Sequence, residues 1–367
     1  MILIGQIEGK RTTYFKKAAK HLGFAQMLQM LCYCDGMDFL QNAKEVLKIS
    51  SEKHRLQYCK IDPPSYDFLH KEQSQIDSMY RAYKSYHSWL LTLPEPSGKL
   101  QYLNTPKSLS LLLDKYKCKQ RLIEKGLETK VTPCLGKDIK SYQELKQKMK
   151  IWHCPSVFIK PNFASGAAGI LAYRCHPSNG QELLYTSVSL QEWKGKEIII
   201  NTKKMFCYKE SEIIEKICSH ILSLGTIIER WIPKAEYQHY NYDLRVVYQF
   251  HKIAFITVRE SKGPITNLHL NNKPLLTKQL GKLPECLELT TKQISDIEKL
   301  CYQAASVFDG LSVVGIDILL EKKKKRPLII EMNGQGDLLY QDIYHENSIY
   351  KEQIAMMAAK ERVCKES

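Results

Sequence analysis

The sequence predicts an α/β (α+β) chain, and three observations carry that expectation. An apolar run from Met1 to Gly5 precedes Phe15, Ala18, Leu22, Ala25 and Leu28, which recur near helical spacing between Thr13 and Leu31. Strand followed by helix is the unit from which α/β domains are built. Further along, YDLRVVYQF and KIAFITVRE are β-rich runs that meet at His251 and Lys252 as the arms of a hairpin. VVGIDILL and RPLIIEMN then repeat that arrangement across EKKKKR. At about 150 residues per domain, a chain of 367 residues has room for two or three domains and a sizeable core.

The elements between these anchors follow in order. Tyr80, Tyr83, Tyr86 and Trp89 stand three apart, the pattern of a packed helix face rather than a base-stacking platform. The breaker-rich stretch LTLPEPSGK, Leu91 to Lys99, closes the first hundred residues. Ser108 to Gly126 reads as helix, with the glycine after Lys125 as its C-cap. VFIKP, Val157 to Pro161, is a strand that enters the small-residue loop NFASGAAG, and a short strand follows at Ile170 to Tyr173. Glu210 to Leu224 is a helix, GTIIERWI from Gly225 to Ile232 a strand, and Thr291 to Phe308 a helix. The charge run Lys322 to Arg326 between two apolar strands is a solvated hairpin tip.

Composition narrows the class. Apolar residues at 44% and charged residues at 25% are ordinary globular usage, which excludes a disordered or collagenous chain. The net charge of +15 favours phosphates or acidic peptides as partners without choosing among them. No nucleic-acid-binding signature accompanies it, so nucleic acid is not expected as a partner. MILIGQIEGK turns polar too early for a secretory signal, and no window approaches 18 apolar residues. The expected location is cytoplasmic, with no membrane partner. The 12 cysteines are scattered; Cys32 and Cys34 lack the second pair that a zinc site would need.

Two features carry chemistry. Asp317 lies inside an apolar strand and Glu331 at the end of the next, two residues before Asn333. Carboxylates in such runs are costly to bury unless they are paired or bind a cation. On antiparallel neighbours Asp317 faces Glu331, and Glu331 and Asn333 project to one face. Three oxygen donors so placed suit magnesium, with a nucleotide supplying further ligands. The second feature is the loop after Lys160, where Gly166 and Gly169 permit conformations that a side chain would block. Ser165 and the neighbouring alanines let backbone amides approach phosphate. Neither GxxxxGK[ST] nor GxGxxG occurs in the chain.

These residues carry a resemblance. DK at Asp114 and Lys115, FIKPNFASGAAG, IIERWI, GID at Gly315 to Asp317 and IIEMN at Ile329 to Asn333 follow one another as the motifs of the ATP-grasp superfamily do. The resemblance covers roughly residues 105 to 340. It implies an ATP-grasp fold divided into a pre-ATP-grasp α/β domain at 1–104, a subdomain with the phosphate loop at 105–226 and a subdomain with the metal site at 227–367. It further implies that Lys115 and Lys160 bind ATP phosphates beside Ser165, Gly166 and Gly169, and that Asp317, Glu331 and Asn333 hold Mg2+. Glu229 and the backbone of Arg230, Trp231 and Ile232 would face adenine, with Glu236 the nearest acid for the ribose. YDLRVV and VRESKGPITNLHLNN resemble the branch of glutamate ligases that modify ribosomal proteins and of peptide-modifying and uncharacterised bacterial relatives. On that likeness Arg245 and Arg259 face an acyl phosphate or carboxylate, and Asn267 assists at metal and phosphate. His269 is either a substrate contact or a satisfied loop histidine. GQGDLLYQD departs from that branch after Asn333 and brings Asp337 near the site, so a substrate does not carry over.

The function implied is an ATP- and magnesium-dependent carboxylate-amine or peptide ligase that forms an acyl phosphate and releases ADP and phosphate. Its partners would be small-molecule or peptide carboxylates and amines, with anionic ones favoured by the basic surplus. Two rivals use the same site: a phosphoryl transferase acting on a hydroxyl, and a non-catalytic nucleotide-binding scaffold. The sequence names neither the substrates, the general base nor the oligomeric state.

Overall fold

The computed structural model describes residues 1–33, 39–52, 56–64, 75–270, 272–275, 282–335 and 347–363. Cys34 and Asp337 of the sequence reading lie outside these residues, as does the side chain of His269. Three sheets organise what is described.

The first sheet is parallel, in the order β2 (Gln29–Cys32), β1 (Ile2–Gly5), β3 (Gln57–Ile61), β4 (Leu100–Tyr102). Helices α1 (Lys10–His21), α2 (Phe39–Glu52) and α3 (Ile76–Leu90) belong to this part of the chain. The helix expected over Thr13 to Leu31 stops at His21, because Gly23 takes φ +76° and turns the chain into a 3-10 turn and then β2. Tyr83, Tyr86 and Trp89 are buried on α3, and Tyr86 stacks on Trp89 with ring centroids 5.7 Å apart.

The expected helix from Ser108 to Gly126 is divided. α4 (Pro106–Leu113) ends at Asp114, whose extended backbone (φ −84°, ψ 98°) breaks the run, and α5 (Lys115–Leu122) restarts at once. The Asp114 carboxylate caps α5 by accepting from the Lys117 amide at 3.0 Å. Gly126 takes φ +84° near the end of the run.

The second sheet is antiparallel. It runs β5 (Cys134–Lys137), β10 (Thr226–Arg230), β6 (Ser156–Pro161), β7 (Leu171–Cys175), β8 (Glu182–Trp193), β9 (Lys196–Tyr208). Helices α6 (Tyr142–Ile151) and α7 (Ser211–Ser223) share its core through Leu145, Met149, Ile217 and Ile221. Because β10 pairs with both β5 and β6, a division at 226/227 would cut a strand; the chain leaves this sheet only after Arg230.

The third sheet orders β14 (Lys273–Leu275), β13 (Lys252–Ser261), β12 (Tyr240–Gln249), β15 (Val313–Leu320), β16 (Pro327–Asn333), with β11 (Glu236–Tyr237) paired to β12. Both expected hairpins form, one turning at Phe250 and His251 and the other through Lys322–Arg326. Helix α8 (Thr291–Ser306), opened by a Thr290/Gln293 capping box, packs Ile297, Leu300 and Ala304 into its core. Helix α9 (Ser348–Val363) returns to the first sheet, where Tyr350, Ile354 and Met357 join Leu3 and Phe15 to Val247, Phe255 and Val313 in one cluster. Among the described residues no helix is long and apolar enough to cross a membrane.

Candidate active site

A cavity of about 960 Å³ lies where the three sheets meet. The third sheet supplies its acids by register. Asp317 pairs with Glu331 and Gly315 with Asn333, so Asp317, Glu331 and Asn333 line the cavity together as alternation along the strands requires. Arg245 sits opposite Asp317 on the other neighbouring strand, and Asp243 sits opposite Arg259.

These partners neutralise one another in a buried network. Arg245 grips Asp317 through Nε and, at 3.1 Å, through Nη2, while Arg259 Nη2 lies 3.3 Å from Asp317 Oδ2. Arg259 Nε also donates to Asp243 Oδ1 at 2.7 Å. The second Asp243 oxygen accepts from Lys234 Nζ at 3.0 Å and from the Thr266 hydroxyl. Burial works to raise the Asp317 carboxyl, and Arg245 with Arg259 reverses that, so it lies below the usual carboxylate range.

The second sheet and α5 supply the lysines. Glu229 on β10 is 3% exposed, and its carboxylate accepts from Lys119 at 2.6 Å, Lys160 at 2.8 Å and Thr132 at 2.8 Å. Burial raises this carboxyl and the two ammonium groups overcome it, holding it at about 2. Burial pulls the Lys119 ammonium down. The break at Asp114 places Lys115 at the first position of α5, where Nζ donates to Ala164 O at 2.6 Å and lies 3.2 Å from Glu331 Oε1. Asn162 ties this helix start to the loop: its amide donates to Asp114 at 2.8 Å and its carbonyl accepts from the Tyr116 amide at 2.8 Å.

Six cations, Lys115, Lys119, Lys160, Lys234, Arg245 and Arg259, thus meet four carboxylates, Glu229, Asp243, Asp317 and Glu331. The surplus of two positive charges in a concave, water-restricting site suits a polyanion. For a divalent cation the donor set is two carboxylates and one amide, all hard oxygens, so it fits magnesium. Among the described residues no three His, Cys, Asp or Glu side chains cluster as a metal centre on their own.

Of the residues singled out in the sequence, Lys115, Lys160, Ser165, Gly166, Glu229, Arg230, Ile232, Arg245, Arg259, Asn267, Asp317, Glu331 and Asn333 line the one cavity. Three do not. Glu236 turns outward on β11, 37% exposed, and pairs with Lys322 at 2.6 Å, because the side chains of a strand alternate and this one takes the solvent face. Trp231 packs against Phe158 and Tyr185. Gly169 takes φ +69° with an added Cβ only 2.8 Å from Pro161 Cγ, so it serves the turn. The amides of Arg230 and Trp231 donate to Pro133 O and Ser156 O, so neither N–H is left for a base. Sequence reading missed Lys119, Thr132, Lys234, Asp243 and Thr266. Two of them carried a signal: Lys119 is one helical turn from Lys115, and Asp243 shares a strand face with Arg245.

The architecture recurs in solved structures at low identity. The chain is similar to the RiPP-associated ATP-grasp ligase of Chryseobacterium gregarium in complex with ADP and a leader and core peptide (12% identity, TM-score 0.52, 98% of this chain and 96% of that one). It is also similar to the D-cycloserine synthetase DcsG (9%, 0.56, 96% and 97%). A third similar structure is the macrocyclase MdnC of Microcystis aeruginosa MRC bound with its precursor peptide MdnA (12%, 0.51, 98% and 99%). The chain has the ATP-grasp fold. No protein-family model matches the sequence, and no curated protein matches it.

Proposed function

We propose that this protein is an ATP-dependent carboxylate-amine ligase that works through an acyl phosphate. The observation that carries the reading is the convergence of Lys115, Lys160, Arg245 and Arg259 with Asp317, Glu331 and Asn333 around one cavity between the sheets. Two of the similar structures hold ADP with a leader and core peptide or a precursor peptide, which supports a nucleotide and a peptide as the two kinds of ligand. In this reading residues 1–104 carry the pre-ATP-grasp domain, residues 105 to the end of β10 the phosphate loop, and the remainder the metal site.

A carboxylate oxygen attacks the γ-phosphorus of ATP and ADP departs; an amine nitrogen then attacks the acyl carbon and phosphate departs. Lys115 and Lys160 hold phosphate oxygens, with Glu229 fixing Lys160 and Lys119 in place. Arg245 and Arg259 hold the carboxylate and stabilise charge as the phosphoryl group moves, with Asp243 orienting Arg259. Asp317, Glu331 and Asn333 would hold magnesium, which would supply positive charge against the phosphate oxygens. Ser165 and Gly166 cover the phosphates and keep water from the acyl phosphate. Ile232 lies against the base, and Asn267 assists at metal and phosphate.

The test is nucleotide turnover with magnesium and a fractionated extract of metabolites and peptides. One fraction should give ADP and free phosphate, and Glu331→Gln should abolish the turnover. AMP with pyrophosphate would overturn the mechanism, and a phosphorylated product that keeps its phosphate would favour transfer to a hydroxyl.

A further inference from the structure

The cavity extends beyond the residues that account for nucleotide and metal. Its far wall is the first sheet, at the C-terminal ends of β1 and β3, where Gln6, Arg11, Thr12 and Asp62 line it. β1 lies between β2 and β3, so successive connections leave it in opposite directions, and the crevice at such strand ends is where parallel sheets receive ligands. None of the steps described above uses these residues.

Asp62 is the distinctive group on this wall. It is 4% exposed, its backbone is held by Ile4 O and by the Tyr33 hydroxyl, and one carboxylate oxygen accepts from the buried Lys60 ammonium. Among the described residues its other oxygen, Oδ2, has no hydrogen-bond partner, and neither has Oε1 of Gln6, which follows β1. A buried carboxylate oxygen left without a donor keeps its full desolvation cost. Gly5 lets the chain pass close beside it: a Cβ there would stand 3.9 Å from Asp62 Oδ2 and 3.0 Å from Thr12 Oγ1. Two unsatisfied acceptors define the complement, a group with several N–H donors.

This wall also has a fixed relation to the metal ligands. Two residues beyond Asn333, Gln335 accepts from Arg11 Nη1 at 2.9 Å and donates to Ile61 O at 3.0 Å and to the Tyr86 hydroxyl at 2.5 Å. Between them, Gly334 O accepts from Asn104, which also binds Val313 O at 2.7 Å and the Ser312 and Val313 amides. The strand that carries Glu331 and Asn333 is therefore fastened to the end of β3 and the start of α1.

We propose that the crevice at the ends of β1 and β3 is the acceptor subsite of the ligase and that it takes a primary amine, with Asp62 Oδ2 and Gln6 Oε1 holding its ammonium group. The inference rests on the ligase reading for its role, while the binding itself is independent of turnover. The bound ammonium gives one proton to Asp62 Oδ2 and attacks the acyl carbon as the free amine; the departing phosphate carries off the second proton as the amide forms. Asp62 Oδ2 and Gln6 Oε1 can only accept hydrogen bonds, so they suit an amine better than a carboxylate or phosphate, and the first substrate occupies the Arg245 and Arg259 side.

The probes are the common L-amino acids and their amides, each alongside its N-acetylated form, with binding followed by thermal shift and calorimetry on the full chain in the presence of MgADP. At least one free amine should bind and its N-acetylated form should not. Asp62→Asn should weaken that binding at least tenfold and Gln6→Met several-fold, while both variants still bind MgADP, which reports that they are folded. Equal binding of the acetylated probe, undiminished binding to Asp62→Asn, or MgADP binding with no amine bound would each overturn the subsite. Failure of the wild type to bind MgADP would instead overturn the nucleotide reading on which its role rests.

Discussion

Replacing Glu229 with Gln tests whether one buried carboxylate holds the lysine cluster together. The substitution keeps the shape but removes the negative charge that Lys119 binds at 2.6 Å and Lys160 at 2.8 Å. Two estimates of the cost agree. Removing one partner from a buried ion pair costs about 3–5 kcal/mol. The fall of the Glu229 carboxyl from an ordinary 4.5 to about 2 is worth about 3 kcal/mol at pH 7. In a cooperative unit of about 150–250 residues that is a drop in Tm of roughly 6–12 °C. The pH dependence has a definite sign. A carboxyl whose folded pKa is depressed contributes its stabilisation above its unfolded value and loses it as pH falls through the folded value. The gap between wild type and Glu229→Gln should therefore be full above about pH 5 and close toward pH 2. Calorimetric melting of both proteins from pH 7 downward reads this directly. A gap below about 1 °C at pH 7 would make the cluster equivalent to an exposed ion pair and refute the reasoning.

Other substitutions separate turn, surface and site. Gly169→Ala forces a Cβ to 2.8 Å from Pro161 Cγ at φ +69°, so it should destabilise by about 1–3 kcal/mol in urea unfolding. Glu236→Gln should leave MgADP affinity unchanged in calorimetry, because that carboxylate is engaged by Lys322 on the surface. Arg259→Met strips charge from both Asp243 and Asp317, so turnover should fall at least a hundredfold, with a smaller effect on nucleotide binding.

What the sequence disclosed and what it concealed follow from the range of the interactions. The Asp317, Glu331 and Asn333 set was legible because strand alternation and a short hairpin fix which side chains share a face. Lys160 was legible because the loop that it precedes has an unusual density of small residues. The break at Asp114 was hidden, since apolar residues continue on both sides at helical spacing and only the extended backbone of Asp114 divides them. Glu229 was placed by motif order, but its lysine partners are 110 and 69 residues away in sequence, beyond any local pattern. Glu236 was chosen for closeness to the hinge strand, and the pairing of β11 with β12 decided instead which way it faces. The boundary at 226/227 falls inside β10 for a related reason: a strand's sheet is set by partners distant in sequence, here β5 and β6.

The central claim is that a carboxylate is activated as an acyl phosphate. Once a turnover-supporting fraction yields its carboxylic acid, that acid can be prepared with 18O in the carboxylate and the released phosphate analysed by mass spectrometry. Attack of the carboxylate on the γ-phosphorus followed by departure of phosphate predicts one 18O transferred to each phosphate released. Unlabelled phosphate accompanying amide formation would contradict the account.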